Sequence, residues 1–142
     1  MNFLRFLSGI RLPFLDGLFQ FFTYFGQAVP LLLVLCALYW CLNKEVAARI
    51  GLAFFTSGLV LQNLKIFCRI DRPWVLDPDF HPVESAVPGA TGYSFPSGHS
   101  QSAAAFWGYL ACYYQKKKRA FFFVLAFLVV GFSRMYLGCH TP

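Results

Sequence analysis

Three apolar stretches dominate the chain: Phe21 to Leu42, Val46 to Phe67 and Ala120 to Leu137. Each approaches or reaches the roughly 20 residues that cross a bilayer as helix. Such segments form either the core of a soluble protein or a bundle in lipid, and composition decides between the two. Hydrophobic residues make up 58% of the 142 and charged residues 13%, with a mean hydropathy of +0.55. That is too apolar for one small core in water. A fourth segment, Ser100 to Tyr114, is shorter and carries Ser102, Ala103, Ala104 and Ala105. Small residues let helices approach closely in lipid, so it reads as an inner helix. The predicted fold is an all-α integral membrane helical bundle, one domain over residues 1–142 with about four transmembrane helices.

Charge placement orients these helices. Lys44 and Arg49 lie between the first two spans, and Lys116, Lys117, Lys118 and Arg119 lie between the third and fourth. The positive-inside rule makes both connections cytoplasmic. The same rule reads the Lys116–Arg119 run as a topology marker rather than a nucleic-acid patch, so no nucleic-acid partner is expected. The stretch from Trp74 to Phe95 contains Asp77, Asp79 and Glu84 but no Lys or Arg, as an external loop can. Residues 1–20 mix apolar clusters with Arg5, Arg11, Asp16 and Pro13. They lack the unbroken apolar stretch and cleavage site of a signal peptide and read as an amphipathic helix lying in the interface.

The five cysteines (Cys36, Cys41, Cys68, Cys112 and Cys139) show no disulfide framework, although Cys68 and Cys139 fall near the same face. There is no CxxC or HExxH spacing, and no metal site or cofactor is expected.

Three motifs remain. Lys65 and Arg72, seven residues apart and followed by Pro73, offer a point charge and a planar fork suited to phosphate oxygens. They would share one helix face if the second span ran as far as Arg72. Pro96-Ser97-Gly98-His99 precedes the inner helix. There Ser97 is a good N-cap, Gly98 permits close backbone approach, and the free N–H groups favour an anion. Ser133-Arg134 and His140 close the last span. Singly, these motifs also fit snorkelling cations, a capped helix start and a loop histidine. Alternating helix directions, however, bring Lys65, Arg72, His99, Arg134 and His140 to one side of the membrane.

In order and spacing the three motifs resemble those of the type 2 phosphatidic acid phosphatase superfamily, which also contains vanadium haloperoxidases. The resemblance runs from about Phe14 onward and includes Tyr93-Ser94-Phe95 and Tyr136-Leu137-Gly138. It implies that His140 is the nucleophile forming a phosphohistidine and His99 the general acid. It further implies that Lys65, Arg72, Ser97, Gly98 and Arg134 bind the phosphate oxygens and that no metal takes part. The family pattern continues to an aspartate four residues past the second histidine, at the start of a further helix, whereas this sequence ends at Pro142. The expectation is therefore a partial chain lacking the last helix of the bundle, with activity well below that of a longer one.

The function expected is hydrolysis of a lipid phosphomonoester or diphosphate, such as undecaprenyl diphosphate, phosphatidic acid or phosphatidylglycerol phosphate. The site would lie at the outer face of a bacterial plasma membrane. A lipid phosphotransferase, an inactive fragment, and a non-catalytic binder of anionic headgroups are the alternatives. The long proline-bearing segment from Cys68 to Phe95 reads as a lid or substrate wall, and His81 within it as a solvated loop residue.

Overall fold

The computed structural model describes residues 2–114 and 117–140. Among them every regular element is helical. Helices α1 (Asn2–Gly9), α2 (Pro13–Tyr24) and α3 (Ala28–Ala37, continued as a π-turn over Leu38–Leu42) precede the long α4 (Lys44–Cys68). A short α5 (Pro73–Leu76) and a 3-10 turn (Glu84–Ala86) punctuate the loop that follows. Then come α6 (Gly98–Ala103), running through a second π-turn (Ala104–Gly108) into α7 (Tyr109–Tyr113), and finally α8 (Lys117–Tyr136). Of the basic run Lys116–Arg119, Lys116 lies outside the described residues, while Lys117, Lys118 and Arg119 open α8.

Lys44–Leu76 and Lys117–Tyr136 are long and apolar enough to cross a membrane, and α2 with α3 and its π-turn, bent by 46°, makes a third if the pair is one span. The outer surface is apolar as well as the core. Large apolar side chains such as Trp40, Leu52, Phe67 and Phe122 stand on the outside, whereas Thr23, Ser133, Arg134 and His140 are buried. Lipid, not water, suits that outer surface.

The first apolar stretch departs from the sequence reading. It is not a single span beginning at Phe21. The helix starts at Pro13, stops after Tyr24 and restarts at Ala28, so only α1 is left as a separate N-terminal helix. Two residues explain the break. Pro30 has no N–H, and its ring clashes with the carbonyl four residues back, so it is best placed in the first turn of a new helix. That carbonyl belongs to Gly26. A Cβ on Gly26 would sit 2.5 Å from a Val130 methyl and 2.6 Å from the His99 carbonyl oxygen. The broken strand of helix thus packs directly against the backbone of His99. Trp107 Nε1 secures the break by donating to the Phe25 carbonyl at 2.8 Å.

Two clusters hold the bundle. Leu31, Val46, Ile50, Phe54, Phe106 and Leu110 join α3, α4 and the 98–113 helix. Leu7, Ala86, Tyr136, Leu137 and Cys139 join α1, the 3-10 turn and the end of α8. Between them Thr23 and Ser133 share a buried hydroxyl–hydroxyl hydrogen bond of 2.8 Å, pinning α2 to α8.

Since the Gly26 contact is with backbone, Gly26→Ala should cost about 1–3 kcal/mol, as overpacking does, and lower the melting temperature in detergent. Gly17→Ala, where a Cβ meets nothing within 4 Å, serves as the control and should be neutral or slightly stabilising. Equal melting of both variants and the parent would contradict the close packing.

Candidate active site

The second span ends earlier than a continuous helix to Arg72 requires. Helix α4 stops at Cys68, and Arg69 takes a left-handed conformation with φ 47°. Lys65 lies in its last turn. Arg72 caps α5, with Pro73 as the first helical residue, so Pro73 starts a helix rather than ending one. Lys65 and Arg72 therefore converge through a turn, not through helical period.

Arg72 is buried and spends its guanidinium on backbone. Its Nε donates to the Gly92 carbonyl at 2.9 Å and Nη2 to the Thr91 carbonyl at 2.7 Å. Its Nη1 reaches the Cys139 carbonyl at 2.7 Å and His140 Nε2 at 3.1 Å. Lys65 Nζ donates to the same Thr91 carbonyl at 3.3 Å. From the long loop Gly89 and Thr91 line the cavity, and Arg72 and Lys65 hold this loop by the Thr91 and Gly92 carbonyls.

His140 sits immediately beyond a Schellman cap. The Cys139 N–H donates to the Arg134 carbonyl at 3.0 Å and the Gly138 N–H to the Met135 carbonyl at 3.0 Å, with Gly138 left-handed at φ +76°. Both bonds are those of that motif, and glycine is the residue it favours. The spacing from Arg134 to His140 is thus the geometry of a helix terminus that folds the chain back over its own last turn. His140 Nδ1 is hydrogen-bonded to the Ser94 carbonyl. A carbonyl only accepts and a guanidinium only donates, so both partners assign the same tautomer: hydrogen on Nδ1, lone pair on Nε2. A main-chain oxygen 46 residues away thus orients this ring.

His99 stands in the first turn of α6, with Ser97 as the N-cap accepting from the Ser100 N–H at 3.4 Å. A cavity of about 250 Å³ brings together Lys65, Arg72, Gly98, His99 and His140. Ala28, Phe54, Gly58 and Leu61 give the lining an apolar part, beside the polar Gln62, Gln101 and Ser102. Arg134 is 1% exposed and does not line the cavity, but its charge acts on both His99 and His140. Its Nε, Nη1 and Nη2 have no hydrogen-bond partner among the described residues. A buried cation with three unmatched donors is costly in isolation, and an oxyanion would match all of them. Among the described residues no cluster of three His, Cys, Asp or Glu could hold a metal ion. Cys68 and Cys139 are both free thiols.

Several contributors carried no signal in the sequence. The carbonyls of Thr91, Gly92 and Ser94 are main chain, and Gly26 acts through what it lacks.

The fold has a known counterpart. The chain belongs to the PAP2 superfamily, whose family model matches residues 46–142. It is 30% identical over 131 residues to the undecaprenyl-diphosphatase BcrC of Bacillus subtilis (strain 168), covering 90% of this chain and 64% of that protein. It is 27% identical over 145 residues to phosphatidylglycerophosphatase B of the same organism, covering 92% of this chain and 66% of that one. The chain thus spans slightly less than two thirds of the length of these relatives. A crystal structure of a transmembrane PAP2-type phosphatidylglycerolphosphate phosphatase from Bacillus subtilis superimposes with a TM-score of 0.78 at 25% identity, over 98% of this chain and 71% of that one. The all-helical membrane architecture expected from the sequence is that of this family.

Burial is the main force on His140; Arg134 and Arg72 add to it, the Ser94 bond opposes it, and Lys65 contributes least. Together they push its pKa down to about 2. The ring is therefore neutral at physiological pH, with its Nε2 lone pair available. In the unfolded chain a histidine takes up a proton near pH 6.5. The unfolded state then binds more protons, and stability is lost as pH falls below that value. Melting followed from pH 7 to pH 4 should fall less steeply in His140→Asn than in the parent. Identical acid limbs would contradict a buried neutral imidazole.

Proposed function

We propose that this protein hydrolyses a phosphomonoester or diphosphate of a membrane lipid through a phosphohistidine on His140. The observation that carries the reading is a cavity lined by Lys65, Arg72, His99 and His140, with the unmatched Arg134 guanidinium close enough for its charge to act on both histidines. Three cations and two imidazoles suit a phosphoryl group, whose transfer needs chiefly positioning and charge stabilisation. The named activities of the two Bacillus relatives, on undecaprenyl diphosphate and phosphatidylglycerophosphate, support this substrate class.

When a phosphate enters, Arg72 Nη1 exchanges His140 Nε2 for a phosphate oxygen, which frees the lone pair. Nε2 attacks phosphorus in line. Before phosphate enters, His99 is neutral, its pKa lowered to about 3 chiefly by burial and then by Arg134, Lys65 and Arg72. The negative charge of the entering phosphate offsets those cations and brings a proton onto the ring. As the bond from phosphorus to the leaving oxygen breaks, His99 gives that oxygen the proton. The Ser94 carbonyl, bonded to Nδ1–H, steadies the positive charge that the ring acquires. His99, now neutral, takes a proton from water as the water oxygen attacks phosphorus. The P–N bond breaks, and the free imidazole and inorganic phosphate result. Gly98 and the Ser97-capped helix start offer further N–H donors to the equatorial oxygens. In this reading the cations do the work that a metal ion does elsewhere.

The site residues lie at the ends of α4 and α8 opposite Lys44 and Lys117, about 30 Å away along each helix. With those lysines cytoplasmic, the cavity opens at the outer face of the plasma membrane, its apolar part toward the lipid tail.

Right-side-out vesicles bearing the protein test the whole proposal. Undecaprenyl diphosphate, phosphatidic acid or phosphatidylglycerol phosphate added outside should release phosphate outside, unaffected by chelator and inhibited by vanadate, which mimics the trigonal bipyramid. His140→Ala should abolish turnover, and Arg134→Gln should lower kcat by about 10²–10³-fold, as loss of an oxyanion donor does. A strict magnesium requirement, or full activity in His140→Ala, would contradict it.

A further inference from the structure

The turn that carries His140 is held from three directions, one carbonyl at a time. Arg72 takes the Cys139 carbonyl, and the Val83 N–H takes the Leu137 carbonyl at 3.0 Å. The Tyr136 carbonyl is taken by a residue from the far end of the chain. Arg11, in the link between α1 and α2, donates from Nε to it at 3.2 Å. The same guanidinium donates from Nη1 to the His81 carbonyl at 2.6 Å, two residues before the Val83 that grips Leu137. Arg11 thus bears on two of the three holds. Its guanidinium carbon stands 5.4 Å from the Phe80 ring centroid. A Cβ on Gly138 would lie 2.6 Å from Arg11 Nη2 and 2.9 Å from Phe80. The left-handed turn is therefore moulded onto a stacked Arg11–Phe80 pair, and glycine is needed there for space as well as for φ.

We propose that Arg11 is a positioning residue for His140: it clamps the end of α8 to the 80–83 loop and so fixes the backbone from which the imidazole projects. Arg11 lies outside residues 46–142, the stretch the family model covers, so this is a support supplied by the N-terminal segment. A cation at a helix C-terminus also satisfies carbonyls that the helix leaves unpaired. Arg11 lines none of the cavity that holds the two histidines and acts only through the turn. The catalytic part of this inference rests on the function proposed above.

The test compares Arg11→Ala with Arg5→Ala in the full chain. Arg5 is a neighbouring arginine whose exposed pairing with Asp77 removes the same charge without touching the turn. Arg11→Ala should lower kcat about ten- to hundredfold, the usual effect of losing a supporting partner, while KM changes less than about threefold. Guanidinium ion should restore part of the loss in Arg11→Ala, and Arg5→Ala should match the parent throughout. In protein labelled with ¹⁵N-histidine, the Nδ1 resonance of His140 should lose its hydrogen-bonded position in Arg11→Ala only. Should Arg11→Ala fail to fold, Gly138→Ala, which crowds the clamp from the other side, should show the same kcat loss and resonance shift. An unchanged kcat together with an unchanged resonance would overturn the proposal, as would a loss confined to KM. Absence of phosphatase activity in the parent would instead remove the catalytic reading, leaving the resonance to decide the role of Arg11.

Discussion

The arrangement depends on one buried guanidinium that is bonded mainly to main chain. Arg72 bridges the Thr91 and Gly92 carbonyls of the loop, the Cys139 carbonyl at the end of α8, and the ring of His140. Three parts of the chain distant in sequence meet on this side chain. Its planar fork can serve several acceptors at once, which a lysine ammonium does with less geometric definition. Removing it would leave the buried Cys139 carbonyl without its donor and the histidine without one of its two partners. The cost would fall on the fold and the site together.

Around that bridge the molecule concentrates positive charge in an apolar setting. Lys65, Arg72 and Arg134 lie near enough for all three to disfavour a proton on His140. Like charges so placed repel, and helix packing, not pairing, holds them. Thr23 pins Ser133, the residue before Arg134, and Gly26 lets α2 and α3 close on His99 and Val130. The bundle stabilises a cluster that a multiply charged anion would relax. Such a cluster suits the phosphoryl group proposed for it.

Much of this was legible in the sequence because the cations and imidazoles announce themselves. Lys65, Arg72, His99, Arg134 and His140 stood at span ends, and alternating helix direction sufficed to gather them. The capping role of Ser97 was equally plain. What escaped was geometry made by backbone. The Gly26–Pro30 pair breaks the first span, yet prolines are common in membrane helices, so Pro30 alone did not mark the bend. Lys65 and Arg72 matched a two-turn helical spacing, but a left-handed Arg69 ends α4 at Cys68. Ser94 engages His140 through its carbonyl, which every residue possesses and no motif can flag. Arg11 resembled an ordinary interfacial charge because its partners are carbonyls near residues 81 and 136.

The central claim is that phosphorus passes through a covalent bond to His140. Stereochemistry at phosphorus tests this most directly. A substrate carrying an isotopically chiral phosphoryl group is turned over, with transfer to an alcohol acceptor, and the configuration of the product is read by ³¹P NMR. Two successive in-line displacements, first by His140 Nε2 and then by the acceptor, predict net retention. Net inversion would mean a single direct displacement and would contradict the phosphohistidine account.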